Sequence, residues 1–464
     1  MAGIGFRLVR LAQSGGLSGT AGASLHGAMI SAGPWLLTAA AVAMLDTWGH
    51  DRLQPADAAV LRTVLIYAFC ASAVIAAPLV TVATRILADL LFRSEEGGAP
   101  GLLVAALALA TAGGSAVGSV LFGVLAGLPP VEQWLATAIL ALLTQMWVAN
   151  LFLSATRRYT IISAAYLAGI IAGACALIAA RSVPALLAGV AVAVIVVDAI
   201  LLIAIRRTFA AAPVWPRHLM RTVRRHAHLG AAGMAAALAI WVDKWLLWFA
   251  PDGSLPAIGH LRLNPIYDGA SFLGLLSLVP GVTLLLLAVE TRFDRAFSGL
   301  MATCAGGGTV ARIGEARREL ARVMLDDVRL LVVVQATFAA LLWVAAPRII
   351  EATGGDVRGT FALRLTVAGA VFHLVVTWAA TILSYYDLFA RILLVWAVFA
   401  VVSLVATLAV WEEGFVAFGW GYLAGAIAGA CAGVALVAQA TDDLLYLLFV
   451  SNNPAVMADR RYWA

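Results

Sequence analysis

VPALLAGVAVAVIVVDAILLIAI, residues 183–205, is an apolar run interrupted by one charge, Asp198. At 1.5 Å per residue a helix of this length exceeds the roughly 30 Å hydrocarbon core of a bilayer, so the run is long enough to span it. Comparable runs, bounded by charges or turn residues, recur near 24–46, 63–84, 101–126, 133–155, 160–180, 228–250, 266–289, 328–346, 361–384, 391–410 and 416–438, which makes twelve expected spans. The composition agrees. Of 464 residues, 63% are hydrophobic and 12% charged, about half the charged share of a soluble domain, and mean hydropathy is +0.97. A water-soluble chain of this length could not cover its surface. The expected fold class is an all-α polytopic membrane protein with two six-helix lobes.

Arginine placement tests the count. All of the 30 basic residues but Lys244 are arginine. With a cytoplasmic N-terminus, 22 arginines fall in inner segments, among them Arg85, Arg93, the cluster Arg206 to Arg225 and the group Arg312 to Arg329. The other 7, including Arg62, Arg181, Arg262, Arg348, Arg358 and Arg364, fall outside or at outer span ends. The positive-inside rule then puts both termini in the cytoplasm and explains the net charge of +5 without nucleic acid. The first apolar run is too long for the core of a signal peptide and has no small-residue cleavage site after it, so it is expected to remain as the first span.

Each half begins with two spans, continues through a cytoplasmic segment of helical character (85–97; 290–327) and ends with four more spans. The expected division is a lobe at 1–205, a basic cytoplasmic linker at 206–227, a second lobe at 228–438 and a cytoplasmic tail at 439–464. Pro34, Pro78 and Pro280 lie inside spans, where proline removes a backbone hydrogen bond and breaks or bends the helix. HExxH, GxSxG and phosphate-loop sequences are absent, as is a carboxylate pair in a large outer loop, so neither catalysis nor a cofactor is expected. Cys70, Cys175, Cys304 and Cys431 are far apart with no CxxC spacing, which speaks against a metal site or a disulfide framework.

The informative residues are the polar groups inside spans. A charge at the bilayer centre costs about 2.5–3.5 kcal/mol or more unless it is paired or wet. The strongest case is WVDKWLLW, residues 241–248. Successive helical residues point about 100° apart, so Asp243 and Lys244 are poorly placed to neutralise each other. Each is expected to find a partner on another helix or water in a cavity; for Lys244 the candidates are Asp198, Asp268 and Glu290, and the alternative is an outward snorkel. Trp241, Trp245 and Trp248 share one stripe roughly opposite Asp243 and read as an aromatic belt at the membrane interface. Asp198 reads equally as a carboxylic acid bonded to a neighbouring helix and as a protonation site or a partner for a substrate amine. Arg364 requires a partner such as Asp243 or an external acid. His26, His373, Gln145, Asn150 and Gln335 read as interhelical hydrogen bonds more readily than as ligands. In NPIYD, residues 264–268, Tyr267 and Asp268 mark the outer mouth of the eighth span, and Glu290 closes it on the inside. Acids at both mouths fit a solute pathway and ordinary span-end solvation about equally.

Several of these motifs occur together in one family. MAGIGF at the start, ISAGPWLL in the first span, WVDKW in the seventh, NPIYD and LSLVPG in the eighth and VETRF at its exit resemble the membrane transporter subunit of the Pel exopolysaccharide system. That family is similar to the flippases of the multidrug/oligosaccharidyl-lipid/polysaccharide (MOP) exporter superfamily. The resemblance covers the whole chain in order. It implies two lobes of six helices that alternate between inward- and outward-open states and move a galactosamine- and N-acetylgalactosamine-rich polysaccharide across the inner membrane. It further implies, as partners, a cytosolic glycosyltransferase using UDP-sugars, a cyclic-di-GMP receptor subunit and a repeat-containing membrane subunit. Asp243, Lys244, Tyr267, Asp268, Pro280 and Glu290 fall on its motifs, and with Asp198 and Arg364 they are the expected substrate-cavity residues. The cavity is expected between the first, second, seventh and eighth spans, where Asp243, Asp268 and Glu290 would offer negative charge to sugar amines and hydroxyls. Two other functions fit the same composition: a cation-coupled efflux antiporter for small organic cations, with Asp198 or Asp243 as coupling site, and a scaffold holding a cytosolic synthase at the membrane.

Overall fold

The computed structural model describes residues 54–156, 158–214 and 219–451. Pro34, His26 and the first expected span lie outside them. In chain order the described residues form α1 (Pro55–Phe92), α2 (Ala99–Gly118), α3 (Pro130–Ala155), α4 (Tyr159–Ala179), α5 (Val183–Thr208), α6 (Leu219–Arg225) and α7 (Ala227–Leu247). A hairpin of β1 (Leu255–Ile258) and β2 (Leu261–Leu263) follows, then α8 (Pro265–Leu276), α9 (Leu278–Ala288), α10 (Asp294–Ala305), α11 (Val310–Ala352), α12 (Gly359–Tyr385), α13 (Phe389–Ala409) and α14 (Trp420–Asp442). Proline opens α1, α2, α3, α5 and α8, where its missing N–H would be unpaired anyway and its fixed φ suits the first turn.

Among the described residues, 10 helical segments are long and apolar enough to cross a bilayer. Each expected span from the second to the twelfth coincides with a helix; α4, on the fifth, carries a shorter apolar stretch, Thr160–Ala176. The eighth is one apolar helical segment, Pro265–Ala305, with a break and a π-helical turn, Val289–Phe293, along it. The expected break at Pro280 falls instead at Ser277, between α8 and α9. Gln335 of α11 covers it, its amide donating to the Ser277 carbonyl at 2.9 Å. Gly281 leaves room for that amide: a Cβ there would stand 2.4 Å from the Gln335 Oε1 and would push the side chain aside. The helix α1 runs through Pro78 without interruption, and the Thr81 hydroxyl donates to the carbonyls of Ala77 (3.0 Å) and Pro78 (3.1 Å). With 43 residues, α11 is about 65 Å long, twice the hydrocarbon thickness, so its charged first half must project beyond the bilayer.

The buried side chains gather in two large clusters. One is built mainly by α1 to α5 and takes in Trp241 and Trp248; the other is built by α7 to α14 and includes Ala232 and Ala239. The helix α7 therefore serves both, packing against α1 on one side and α13 on the other. Polar contacts tie the same two groups at opposite ends of the bundle. At one end, β1 and β2 pair with Leu255 opposite Leu263, and the turn reaches the helical turn after α2, where the His260 N–H donates to the Leu125 carbonyl at 2.8 Å. Gly259 makes this approach possible: its φ is +53°, and a Cβ would lie 2.5 Å from that carbonyl. The Tyr67 hydroxyl of α1 donates to the Arg262 carbonyl at 2.7 Å. At the other end, Arg85 of α1 pairs with Asp387 at 2.5 Å and lies over the Phe389 ring.

Small residues let α13 and α14 approach closely. On α14, Gly421, Gly425, Gly429 and Gly433 recur every fourth residue, and a Cβ on Gly425 would lie 2.7 Å from the Phe399 carbonyl. Gly425→Val is expected to cost about 1–3 kcal/mol through overpacking and to lower the melting temperature of the detergent-solubilised protein. Gly314→Ala on α11, where nothing lies within 4 Å of the added methyl, is expected to leave it unchanged or raise it.

Candidate functional site

The second half of α7 places two charges in the interior. Asp243 and Lys244 are 1% and 3% exposed. Contrary to the expectation from helical geometry, they pair with each other: Lys244 Nζ lies 3.3 Å from Asp243 Oδ1. Two local bonds explain how neighbouring residues manage this. Asp243 Oδ1 accepts the Lys244 backbone N–H at 2.8 Å, which folds the carboxylate forward, and the flexible lysine stem curls back so that Nζ donates to the Ile240 carbonyl at 2.9 Å. Lys244 neither snorkels nor bonds to Asp198, Asp268 or Glu290.

The surroundings complete the site. Tyr267 of α8 donates its hydroxyl to Asp243 Oδ2. The ammonium lies 5.5, 5.6 and 5.9 Å from the ring centroids of Tyr267, Tyr422 and Trp241. All three are within cation–π range. Tyr422 Oη is in turn 2.8 Å from Nδ1 of His373, which is buried on α12. Four helices, α7, α8, α12 and α14, therefore converge on one ion pair. Tyr422 was not singled out by the sequence, although a phenol inside an apolar span needs a hydrogen-bond partner and so could have been paired with His373.

The tryptophan stripe meets a helix and forms no interfacial belt, and its first ring, Trp241, also flanks the Lys244 ammonium. Trp241 and Trp248 are buried against α1, with ring centroids 6.1 Å from Phe69 and 4.4 Å from Tyr67 respectively, and the partly buried Trp245 packs on the same cluster. Asp268 anchors the start of α8: one oxygen accepts from Trp248 Nε1 at 2.8 Å, the other from the Asn264 backbone N–H at 3.0 Å. Asn264 caps the same helix, accepting from the Tyr267 N–H at 3.3 Å, and its amide donates to the Leu247 carbonyl at 3.0 Å. Glu290 is buried in the π-helical turn at the far end of this segment, away from the α7 pair.

Arg364 corrects a further expectation. Its Nε donates to the Trp343 carbonyl at 3.1 Å and its guanidinium lies over the Trp343 ring at 5.7 Å, a carbonyl and an aromatic face where an acid was expected. The interhelical reading holds for Gln335 and for Gln145, whose amide donates to Thr111 at 2.6 Å. Asp198 stands apart on α5: it is 4% exposed, and neither carboxylate oxygen has a hydrogen-bond partner. Asn150 Oδ1, Ser163 Oγ and Tyr166 Oη, on the packed helices α3 and α4, are also buried without a partner. Among the described residues, no group of His, Cys, Asp and Glu is placed to hold a metal ion.

The fold is similar to that of MATE transporters, which belong to the MOP superfamily. The chain superposes on an outward-facing multidrug resistance MATE family transporter with a TM-score of 0.65, covering 96% of this chain and 97% of that one at 13% identity. For an inward-facing MATE family transporter the values are 0.61, 89%, 96% and 12%. For a MOP superfamily transporter from Pyrococcus furiosus, described by the reverse polarity of its binding pocket, they are 0.65, 95%, 96% and 12%. No curated protein matches the chain. The PelG family, described as "Putative exopolysaccharide Exporter (EPS-E)", matches residues 1–449, and the chain belongs to this family.

Two outcomes follow from the geometry. Lys244→Met and Asp243→Asn are each expected to cost about 3–5 kcal/mol by stranding a buried charge, and the double variant less than the sum, as read from a double-mutant cycle in thermal unfolding. Asp198→Leu, which removes an unpartnered buried carboxylate, is expected to raise the melting temperature.

Proposed function

We propose that this exporter carries a Pel-type polysaccharide, rich in galactosamine and N-acetylgalactosamine, from cytoplasm to periplasm by alternating access. It does so as twelve spans in two six-helix lobes, with both termini in the cytoplasm of the inner membrane and the hairpin on the periplasmic side. The observation that carries the reading is a family match running from residue 1 to residue 449, on a chain whose fold is that of MOP transporters. The arginine distribution supports the orientation. Two features support lobes that move as bodies. The α7 ion pair locks α7, α8, α12 and α14 to one another. The contact at the Arg85 end, by contrast, is a pair of partly exposed side chains, of the kind that contributes about 0–1 kcal/mol and breaks cheaply.

In this reading the buried α7 cluster sets the shape of the second lobe and does not touch the polymer, and the chain works beside a cytosolic glycosyltransferase and other Pel membrane subunits, a cyclic-di-GMP receptor among them. In a host lacking its own Pel-type exporter but keeping the rest of the system, the chain is expected to restore secreted matrix polysaccharide and to confer no drug resistance on a pump-deficient strain. Arg85→Asp and Asp387→Arg are each expected to reduce export several-fold at normal membrane levels, with recovery in the charge-swapped double variant. Drug resistance without matrix would overturn the substrate assignment.

A further inference from the structure

The surroundings of Lys244 Nζ are those of a receptor for an organic ammonium ion. Two acceptors, the Ile240 carbonyl at 2.9 Å and Asp243 Oδ1 at 3.3 Å, take two of its protons, and the rings of Tyr267, Tyr422 and Trp241 stand within 6 Å on centroid distance. Aromatic faces combined with a carboxylate form the usual cage for ammonium ligands. We propose that this cage is a built binding site for a primary ammonium ion, which the chain fills with its own side chain as a tethered ligand.

The walls do not depend on the lysine. The Tyr267 hydroxyl holds Asp243 Oδ2, the Lys244 backbone N–H holds Oδ1, and Tyr422 is held by His373, so the acceptor and two of the rings keep partners of their own when the ammonium is removed. Truncation of Lys244 to alanine deletes the equivalent of n-propylammonium and leaves a cavity of that shape beside an uncompensated carboxylate. A free alkylammonium ion of matching length restores both charge and packing. Sodium or potassium, which prefer oxygen ligands and gain little from the apolar stem space, do not.

The test uses the full-length protein in detergent. In Lys244→Ala, millimolar n-propylammonium is expected to raise the melting temperature by about 2 °C or more, saturably, while equal concentrations of sodium chloride, potassium chloride or neutral n-propanol do not. Wild-type protein, its cage filled, is expected not to respond, nor is Asp243→Asn/Lys244→Ala, which lacks the carboxylate. A folded Lys244→Ala protein that ignores n-propylammonium, responds equally to sodium, or responds no more than the double variant overturns the proposal. Should Lys244→Ala fail to accumulate in membranes, the same comparison is made on its level in cells grown with n-propylammonium: recovery specific to the amine supports the site, and its absence overturns it.

Discussion

In hydrocarbon no solvent is available to neutralise a charge, so the protein must do it with its own groups. The ammonium of Lys244 is where that constraint bears hardest. It meets the Asp243 carboxylate, which the Lys244 backbone N–H and the Tyr267 hydroxyl at the start of α8 hold in place; the remaining faces of the ammonium take Tyr422 and Trp241, and Tyr422 takes His373. One pair of adjacent residues thereby dictates how α7, α8, α12 and α14 sit against one another. Replacing such a cluster by apolar residues need not lose stability, but it would lose the directional bonds that choose this arrangement among the many that apolar helices could adopt.

The spans were legible because bilayer thickness sets a length and hydropathy sets a composition, and both are properties of the sequence alone. Gln335 was legible as an interhelical bond for a similar reason: a buried amide has to be satisfied somewhere. Side chains are not rigid spokes on a helix. The Asp243 carboxylate is bent by the next residue's N–H, and a four-carbon stem reaches back a full turn, so the 100° between neighbours did not keep them apart. The tryptophan stripe was legible as a face but not as a contact, because periodicity identifies the side of a helix without saying whether lipid or α1 lies beyond it. Arg364 misled in another way: a carbonyl and an indole ring meet its hydrogen-bonding and cation–π needs, and neither is visible as a partner in composition.

Three intramembrane aspartates show how little the residue type alone decides. Asp243 is half of an ion pair, Asp268 holds a helix start and an indole, and Asp198 on α5 buries two oxygens that have no hydrogen-bond partner. The first two are explained by what they hold in place. Asp198, Tyr166 and Asn150 each bury a polar atom without a hydrogen-bond partner, where an apolar residue would be the more stable choice.

The distribution of contacts between the two buried clusters also limits how they can move. Along α7, whose other face belongs to the second cluster, large rings pack on α1 as a seam within the first, Trp241 on Phe69 and, toward the hairpin, Trp248 on Tyr67. Pulling α7 from α1 would expose several hundred square ångströms of aromatic surface, on the order of 150–250 Å² per ring. At the ends the two clusters share hydrogen bonds and an ion pair whose side chains are 32% and 55% exposed, which water replaces at little cost. Opening by separation along the whole length would require breaking the seam. Rocking about the seam would break only one end at a time, and the other end would keep the halves in register. Among the described residues, the packing of α7 on α1 is thus the natural pivot for the alternating-access cycle proposed above, with the tryptophans of the stripe setting its stiffness.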